Sequence, residues 1–275
     1  MTMSLTSASR STSTPFQRLW ADAPVFTGLA LLLALASLPL FSAMSLDARL
    51  FQGDSIWLKP LKFHAALSIY LITLAYCARF LPATMRASRG WRIYAGVVAT
   101  AIIAEVAWIG GAAALGTASH FNISSPLWTA LYALMGASAV TLTSASLVMG
   151  LSIWRNPATG LTPAVQLSVA LGLVLTFVLT LVVAGTMSSG TGHFVGVPTT
   201  GAVLPILGWS REVGDLRAPH FFATHALHVV PAVGLLASRL LPDASARIVV
   251  WAAGLGYAGL VMAMFVQALM GLPLI

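Results

Sequence analysis

Seven runs of about twenty apolar residues, each the length of one bilayer crossing, alternate with short polar connections along this chain and leave room for no eighth. They lie at about 24–44, 61–81, 94–115, 127–153, 164–187, 220–241 and 248–270. A soluble fold with this pattern would expose too much apolar surface: 58% of the residues are hydrophobic and only 8% charged, against ~25% charged in ordinary globular chains. The expected fold class is all-α, a polytopic membrane protein of seven transmembrane helices, with the lipid bilayer as its partner. The first run exceeds the ~7–15 residues of a signal-peptide core, and the stretch before it is too long for a signal's basic start, so it reads as a retained anchor. Residues 1–23, rich in Ser and Thr, are expected to be a disordered cytoplasmic N-terminus. Residues 24–275 are expected to be a single membrane domain.

Orientation follows from the basic residues. With the N-terminus in the cytoplasm, the inner segments hold Arg10, Arg18, Arg79, Arg86, Arg89, Arg92, Arg155, Arg239 and Arg247, and the outer ones Arg49, Lys59, Lys62, Arg211 and Arg217. This bias favours N-in and C-out, with Arg79 to Arg92 carrying most of it, and the expected location is a bacterial inner membrane. The formal net charge of +7 is spread over these connections, which argues against nucleic-acid binding. The lone Cys77 excludes an internal disulfide, a CxxCH haem attachment and a cysteine-rich metal site, so any metal must be held by His and carboxylates.

All six histidines, His64, His120, His193, His220, His225 and His228, fall on one side of the seven-span arrangement. Imidazole gains or loses a proton near neutrality and is the commonest metal ligand, so this one-sidedness points to a site on the outer face. On the sixth span His220, His228 and His225 lie at about 0°, 80° and 140° around the helix and share one broad stripe. Pro231 follows, and its missing N–H should free the carbonyl of Leu227 or kink the helix. Glu105 is the only acid placed mid-span; a carboxylate there costs on the order of 2.5–3.5 kcal/mol, so it should face the bundle interior with a partner or a proton. Glu105 and His228 both come out roughly 12–15 Å below the outer boundary, so they are expected to share a layer, with His64 and Lys62 above.

The connection at 188–219 is the only long one. Its apolar middle, Val195 to Trp209, is broken by Pro198, Gly201, Pro205 and Gly208; it either dips into the outer leaflet as a lid over the histidines or lies flat at the interface. Gly254 with Ala258 and Ala107 with Gly111 have the small-xxx-small spacing of helix-packing faces, and the hydroxyls Ser138, Thr141, Thr143, Ser144 and Ser146 are expected to bond across helices. Trp57, Trp91, Trp128, Trp154 and Trp209 fall where interfacial belt residues sit. No span interior carries a lysine for a Schiff base, which removes a retinal protein.

Three segments, Lys59-Pro-Leu-Lys-Phe-His64, Ser119-His-Phe-Asn122 and Gly214-Asp-Leu-Arg-Ala-Pro-His-Phe-Phe-Ala-Thr-His-Ala-Leu-His228 up to Pro231, together with the Glu105 span, resemble a family of uncharacterised bacterial seven-helix membrane proteins. The resemblance covers about residues 50 to 240. It implies seven helices and brings no activity or ligand set.

Three readings of the outer site remain open. In the first, a redox role, b-type haem or a His-coordinated metal is bound with His64 and either His225 or His228 as axial ligands and a quinone or other redox partner. In the second, a zinc-dependent intramembrane hydrolase, ligands are drawn from His64, His220, His225 and His228, and Glu105 or Asp215 is the base. The third is a proton-coupled transporter or sensor in which Glu105 and the histidines relay protons. The first is the reading preferred from the sequence.

Overall fold

The computed structural model describes residues 14–275. Seven of its helices are long and apolar enough to cross a membrane: α2 (Pro24–Leu46), α3 (Leu58–Ala78), α5 (Arg89–Ala114), α6 (Pro126–Trp154), α7 (Pro163–Ser189), α8 (Arg217–Leu240) and α9 (Asp243–Leu269). Two short helices, α1 (Pro15–Asp22) and α4 (Ala83–Ala87), and two strand pairs, β1 (Leu50–Phe51) with β2 (Asp54–Ser55) and β3 (Phe194–Val195) with β4 (Gly214–Asp215), fill the connections. The class expected from hydropathy is therefore the class observed.

Several helices begin earlier than their apolar runs, because capping rather than hydropathy decides where a helix starts. Ser88, Ser125 and Thr162 each accept a hydrogen bond from the backbone N–H three residues on, opening α5, α6 and α7, and Pro126 and Pro163 occupy the first helical position, where a missing N–H costs nothing. Arg89 and Arg92 thereby become the first turn of α5. The same logic corrects the N-terminus. Residues 15–22, expected to be disordered, form α1, because Thr14 and Gln17 close a reciprocal capping box that satisfies two otherwise orphaned donors. Asp22 at its end then meets Arg86, and Arg79 at 3.9 Å. Residues 1–13 lie outside the described residues.

Consecutive spans pack against one another, and α7 also packs on α9. The larger apolar core joins α2, α3, α5, α6 and α7 through Phe26, Leu71, Leu74, Ile102, Met149 and Leu173 and takes in Leu227 of α8, and a second joins α7, α8 and α9 through Val183, Val230, Val261 and Phe265. The α7–α8–α9 block is close-packed because small residues let backbones approach. A Cβ on Gly172 would lie 2.9 Å from both the Ala226 carbonyl and the Pro231 ring, one on Gly234 2.2 Å from Ser168, and one on Gly254 2.4 Å from Leu171. Gly254 is thus a packing residue as its spacing suggests, whereas Gly111 meets nothing within 4 Å. α8 continues through Pro231, whose ring fills the notch at Gly172.

Two sequence expectations about side chains change. Trp91 and Trp209 are buried rather than interfacial: Trp91 packs edge-on against Phe26, and Trp209 against Phe221. Of the α6 hydroxyls, Thr141, Thr143 and Ser146 bond to carbonyls of their own helix, the usual local solution for Ser and Thr in a membrane helix. Ser144, which also donates to the Thr141 carbonyl, reaches across to Tyr94 at 2.7 Å, and Ser146 also hydrogen-bonds Tyr70 of α3.

Candidate functional site

The alternation of the spans brings the start of α3, the end of α5, the start of α6, the end of α7 and the start of α8 to one end of the bundle. His64, His120, His193, His220, His225 and His228 all belong to this end, as expected. They divide into two groups and one outlier.

The upper group is organised by Lys59, in the first turn of α3. Its Nζ lies 3.2 Å from His120 Nδ1, and the Ser119 hydroxyl lies 3.1 Å from the same nitrogen. Both are donors, so Nδ1 is the lone-pair nitrogen of His120 and its proton sits on Nε2. Burial, then the Lys59 charge and His220, hold the His120 pKa down to about 3, so the ring is neutral at physiological pH. Phe63, Phe121 and Tyr132 surround it. Lys59 also interacts electrostatically with Glu105 of α5 and with His193. Glu105 is 3% exposed, and its Oε1 has no hydrogen-bond partner; His220 Nδ1 is likewise buried and unpartnered. Buried polar atoms without partners are rare and costly, and where they cluster they mark a place for water, a proton or a ligand.

The lower group bridges α8 and α3. His225 Nδ1 lies 3.2 Å from His228 Nδ1, and His228 Nε2 lies 3.0 Å from Thr73 Oγ1. The Thr73 hydroxyl donates to the Ile69 carbonyl at 2.8 Å, so His228 must donate its Nε2 proton to Thr73. A neutral His228 then accepts at Nδ1 from His225, and a lone pair is left on His225 Nε2. Reversing every donor gives the alternative polarity, with Thr73 donating to His228. This pair of states is what a proton relay requires. α3 packs on α2, α5 and α6, and α8 packs on α7 and α9, so at this level the two helices meet through side chains.

His64 is the outlier. It is buried, and its Nδ1 donates to the Pro60 carbonyl at 2.9 Å. Thr73 follows it by nine residues, a rotation of about 900°, or half a turn out of phase, so His64 lies on the face of α3 opposite the one that meets His228. No hydrogen bond joins His64 to His225 or His228, the pairs expected as axial ligands. Among the described residues no three His, Cys, Asp or Glu side chains are grouped so as to hold a metal ion; in particular His64, His220, His225 and His228 do not converge.

Asp215, expected as a candidate base, is 3% exposed and fully engaged. Its oxygens accept from the Ser210 N–H at 2.9 Å, from the Arg217 N–H at 3.0 Å and from the Arg217 guanidinium at 2.6 Å. That arrangement fixes the lid to the start of α8. The lid itself, at 190–216, is ordered by β3 pairing with β4 and by Glu212, which accepts from the N–H and hydroxyl groups of Thr199 and Thr200 and the N–H of Ala202. Hydrogen bonds from Thr200 and Thr199 and the Ala202 amide hold the Glu212 carboxyl well below the usual carboxylate range. His193 opens this lid: its carbonyl accepts from Leu216 N–H at 2.9 Å. Burial, then Arg217, hold its pKa down to about 4, with Asp215 opposing and Lys59 adding to the effect.

Sequence reasoning missed Thr73 and chose Lys62 over Lys59. Nothing distinguishes Thr73 from other span hydroxyls in the sequence; Lys59, opening the Lys-Pro segment, carried the only available signal. No protein-family model, curated protein or solved structure matches this chain.

Proposed function

We propose that this multi-pass membrane protein relays protons, as a proton-coupled transporter or sensor, through the histidine end of its bundle. The observation that carries the reading is the hydrogen-bonded series His225, His228, Thr73, whose two polarities interconvert when one proton enters at His225 Nε2 and another leaves from the Thr73 hydroxyl, each residue keeping its own proton count. Glu105, with an unpartnered buried carboxyl oxygen beside Lys59, supplies a second titratable group at the same end, as intramembrane carboxylates do in proton pathways. Tyr94 and Ser144, hydrogen-bonded to each other, lie farther along their helices from the histidine end than Thr73 does along α3. With the basic residues favouring N-in, the histidine end faces outward, in a bacterial inner membrane.

The haem, metal and zinc-hydrolase readings become outcomes of the test. The full chain is purified and reconstituted in liposomes containing a pH-sensitive dye, and proton movement is followed under an imposed potential or pH step. Proton uptake that is lost in both His228→Ala and Glu105→Gln supports the reading. Uptake unchanged in both variants, or none in the wild type, overturns it; a Soret band or stoichiometric zinc in the same preparation replaces it with the redox or the hydrolytic one. A reporter fused after Ile275 checks the orientation, with a location outside the cytoplasm expected.

A further inference from the structure

Residues 202–211 of the lid form a tight hairpin. Val203 pairs with Ser210, Leu204 N–H donates to the Trp209 carbonyl at 2.8 Å, and Arg211 N–H to the Ala202 carbonyl at 2.9 Å. The tip is apolar and bare. Ile206 is 96% exposed, and Val203 and Leu207 are exposed beside it. Ile206 also has φ of 70°, the left-handed region that turns in water normally give to Gly or Asn, because a β-branched side chain there is strained. The mount is rigid. Trp209 is buried against Ala218 and Met264, and the Arg217 guanidinium donates to the Gly208 carbonyl at 2.6 Å. Such a tip cannot fold back to hide its apolar atoms.

We propose that this hairpin is a membrane anchor, with Ile206, Leu207 and Val203 seated in the acyl-chain boundary of the leaflet at the histidine end. The occupant of the patch is lipid, because the hairpin is mounted on the spanning helix α8: the buried Trp209 stacks edge-on against Phe221 at 5.6 Å, and Phe221 is exposed on the face of α8, so the bare tip stands beside a helix face that meets acyl chains. Arg211, exposed at the neck, stands where its guanidinium can meet a headgroup phosphate while the tip lies deeper. An apolar tip above a basic neck is the composition of interfacial segments. The lid, with His193 at its start, is then held from two sides, by α8 and by the leaflet.

The test uses the full chain in lipid bilayers with a nitroxide label on Ile206→Cys or, as control, on Ala158→Cys, exposed in the α6–α7 connection at the opposite end. The native Cys77 is buried, and the wild-type chain serves as the unlabelled background. Collision of the label with oxygen, which partitions into lipid, is compared with collision with a water-soluble nickel complex. Oxygen should dominate at 206 and the nickel complex at 158. Dominance of the nickel complex at 206 overturns the proposal; so does protection from both reagents with dipolar broadening, which would identify a second copy of the chain as the occupant. Because Ile206 has no packing partner to lose, Ile206→Asp should preserve the fold, judged by an unchanged melting temperature in detergent, while raising nickel access at a label on Leu207→Cys; no rise also counts against lipid contact.

Discussion

Thr73 on α3 and His228 on α8 are 3.0 Å apart, oxygen to nitrogen, across an interface where the two helices pack only sparsely. Removing either side should separate function from stability. Hydrogen bonds between membrane helices average ~0.6 kcal/mol and reach ~1.7, so Thr73→Val should lower the melting temperature only slightly. Proton uptake should fall at least about tenfold, because a valine methyl can neither take nor give a proton. Thermal unfolding in detergent and dye-reported uptake on the same preparation check this; a large stability loss with intact uptake would make the contact purely structural.

His120 and Lys59 offer a titration. His120 is held neutral down to about 3, whereas in the unfolded chain it binds a proton below about 6.5. The unfolded state therefore takes up a proton first, so this group's contribution to stability is intact above about 6.5 and declines as the pH falls towards 3. Lys59→Met removes the second-largest cause of the shift and leaves the first, burial. Histidine-selective nitrogen NMR should find the His120 titration moved upward in the variant while remaining below the ordinary value.

Glu212 behaves in the opposite sense. Its depressed folded pKa means that its hold on Thr199, Thr200 and Ala202 is complete above the ordinary carboxylate value of 4.5 and is lost as the pH falls through the lower folded value. Amide exchange at 199–202 should be slow and nearly constant from pH 7 to pH 5, after correction for intrinsic rates, and should accelerate in stronger acid. Glu212→Gln, which cannot carry the charge, should exchange faster throughout and lose the acid dependence.

Gly214 in β4 has no room for a side chain: a Cβ would lie 1.9 Å from the Ala268 carbonyl oxygen. Gly214→Ala should cost on the order of 1–3 kcal/mol or more through overpacking, read as a lower melting temperature and faster proteolysis of the lid. Gly256→Ala, which meets nothing within 4 Å, should leave the melting temperature unchanged or raise it.

The spans were legible because a bilayer admits few ways to bury apolar residues, and the one-sided histidines followed from alternation alone. Helix starts were less legible, since Ser88 or Thr162 caps a helix whatever the hydropathy of its first turn. The choice of neighbours was not legible at all. Glu105 and His228 were read at similar depths, yet depth says nothing of azimuth: His228 turns to Thr73, and Glu105 lies beside Lys59, whose long stem lets its ammonium interact well away from its backbone. His64 carried a ligand's chemistry on the wrong face of α3, a half-turn that only packing decides. Asp215 read as an acid near histidines, although the Asp-x-Arg spacing at the start of α8 was already the signature of a local ion pair.

The notch that Gly172 offers to Pro231, repeated in kind at Gly234 and Gly254, has a mechanical consequence. Steric interlocking of main chains resists sliding and rotation alike, so α7, α8 and α9 should move together, and at Gly150, where a Cβ would lie 2.9 Å from the Ala170 carbonyl, α6 is keyed to α7 in the same way. No glycine notch joins α3 to α8 among the described residues: Leu227 of α8 shares the larger apolar core with α3, and the Thr73–His228 hydrogen bond can part by rotation of the two side chains while that core stays closed. Making or breaking that polar link then leaves the interlocked helices in place.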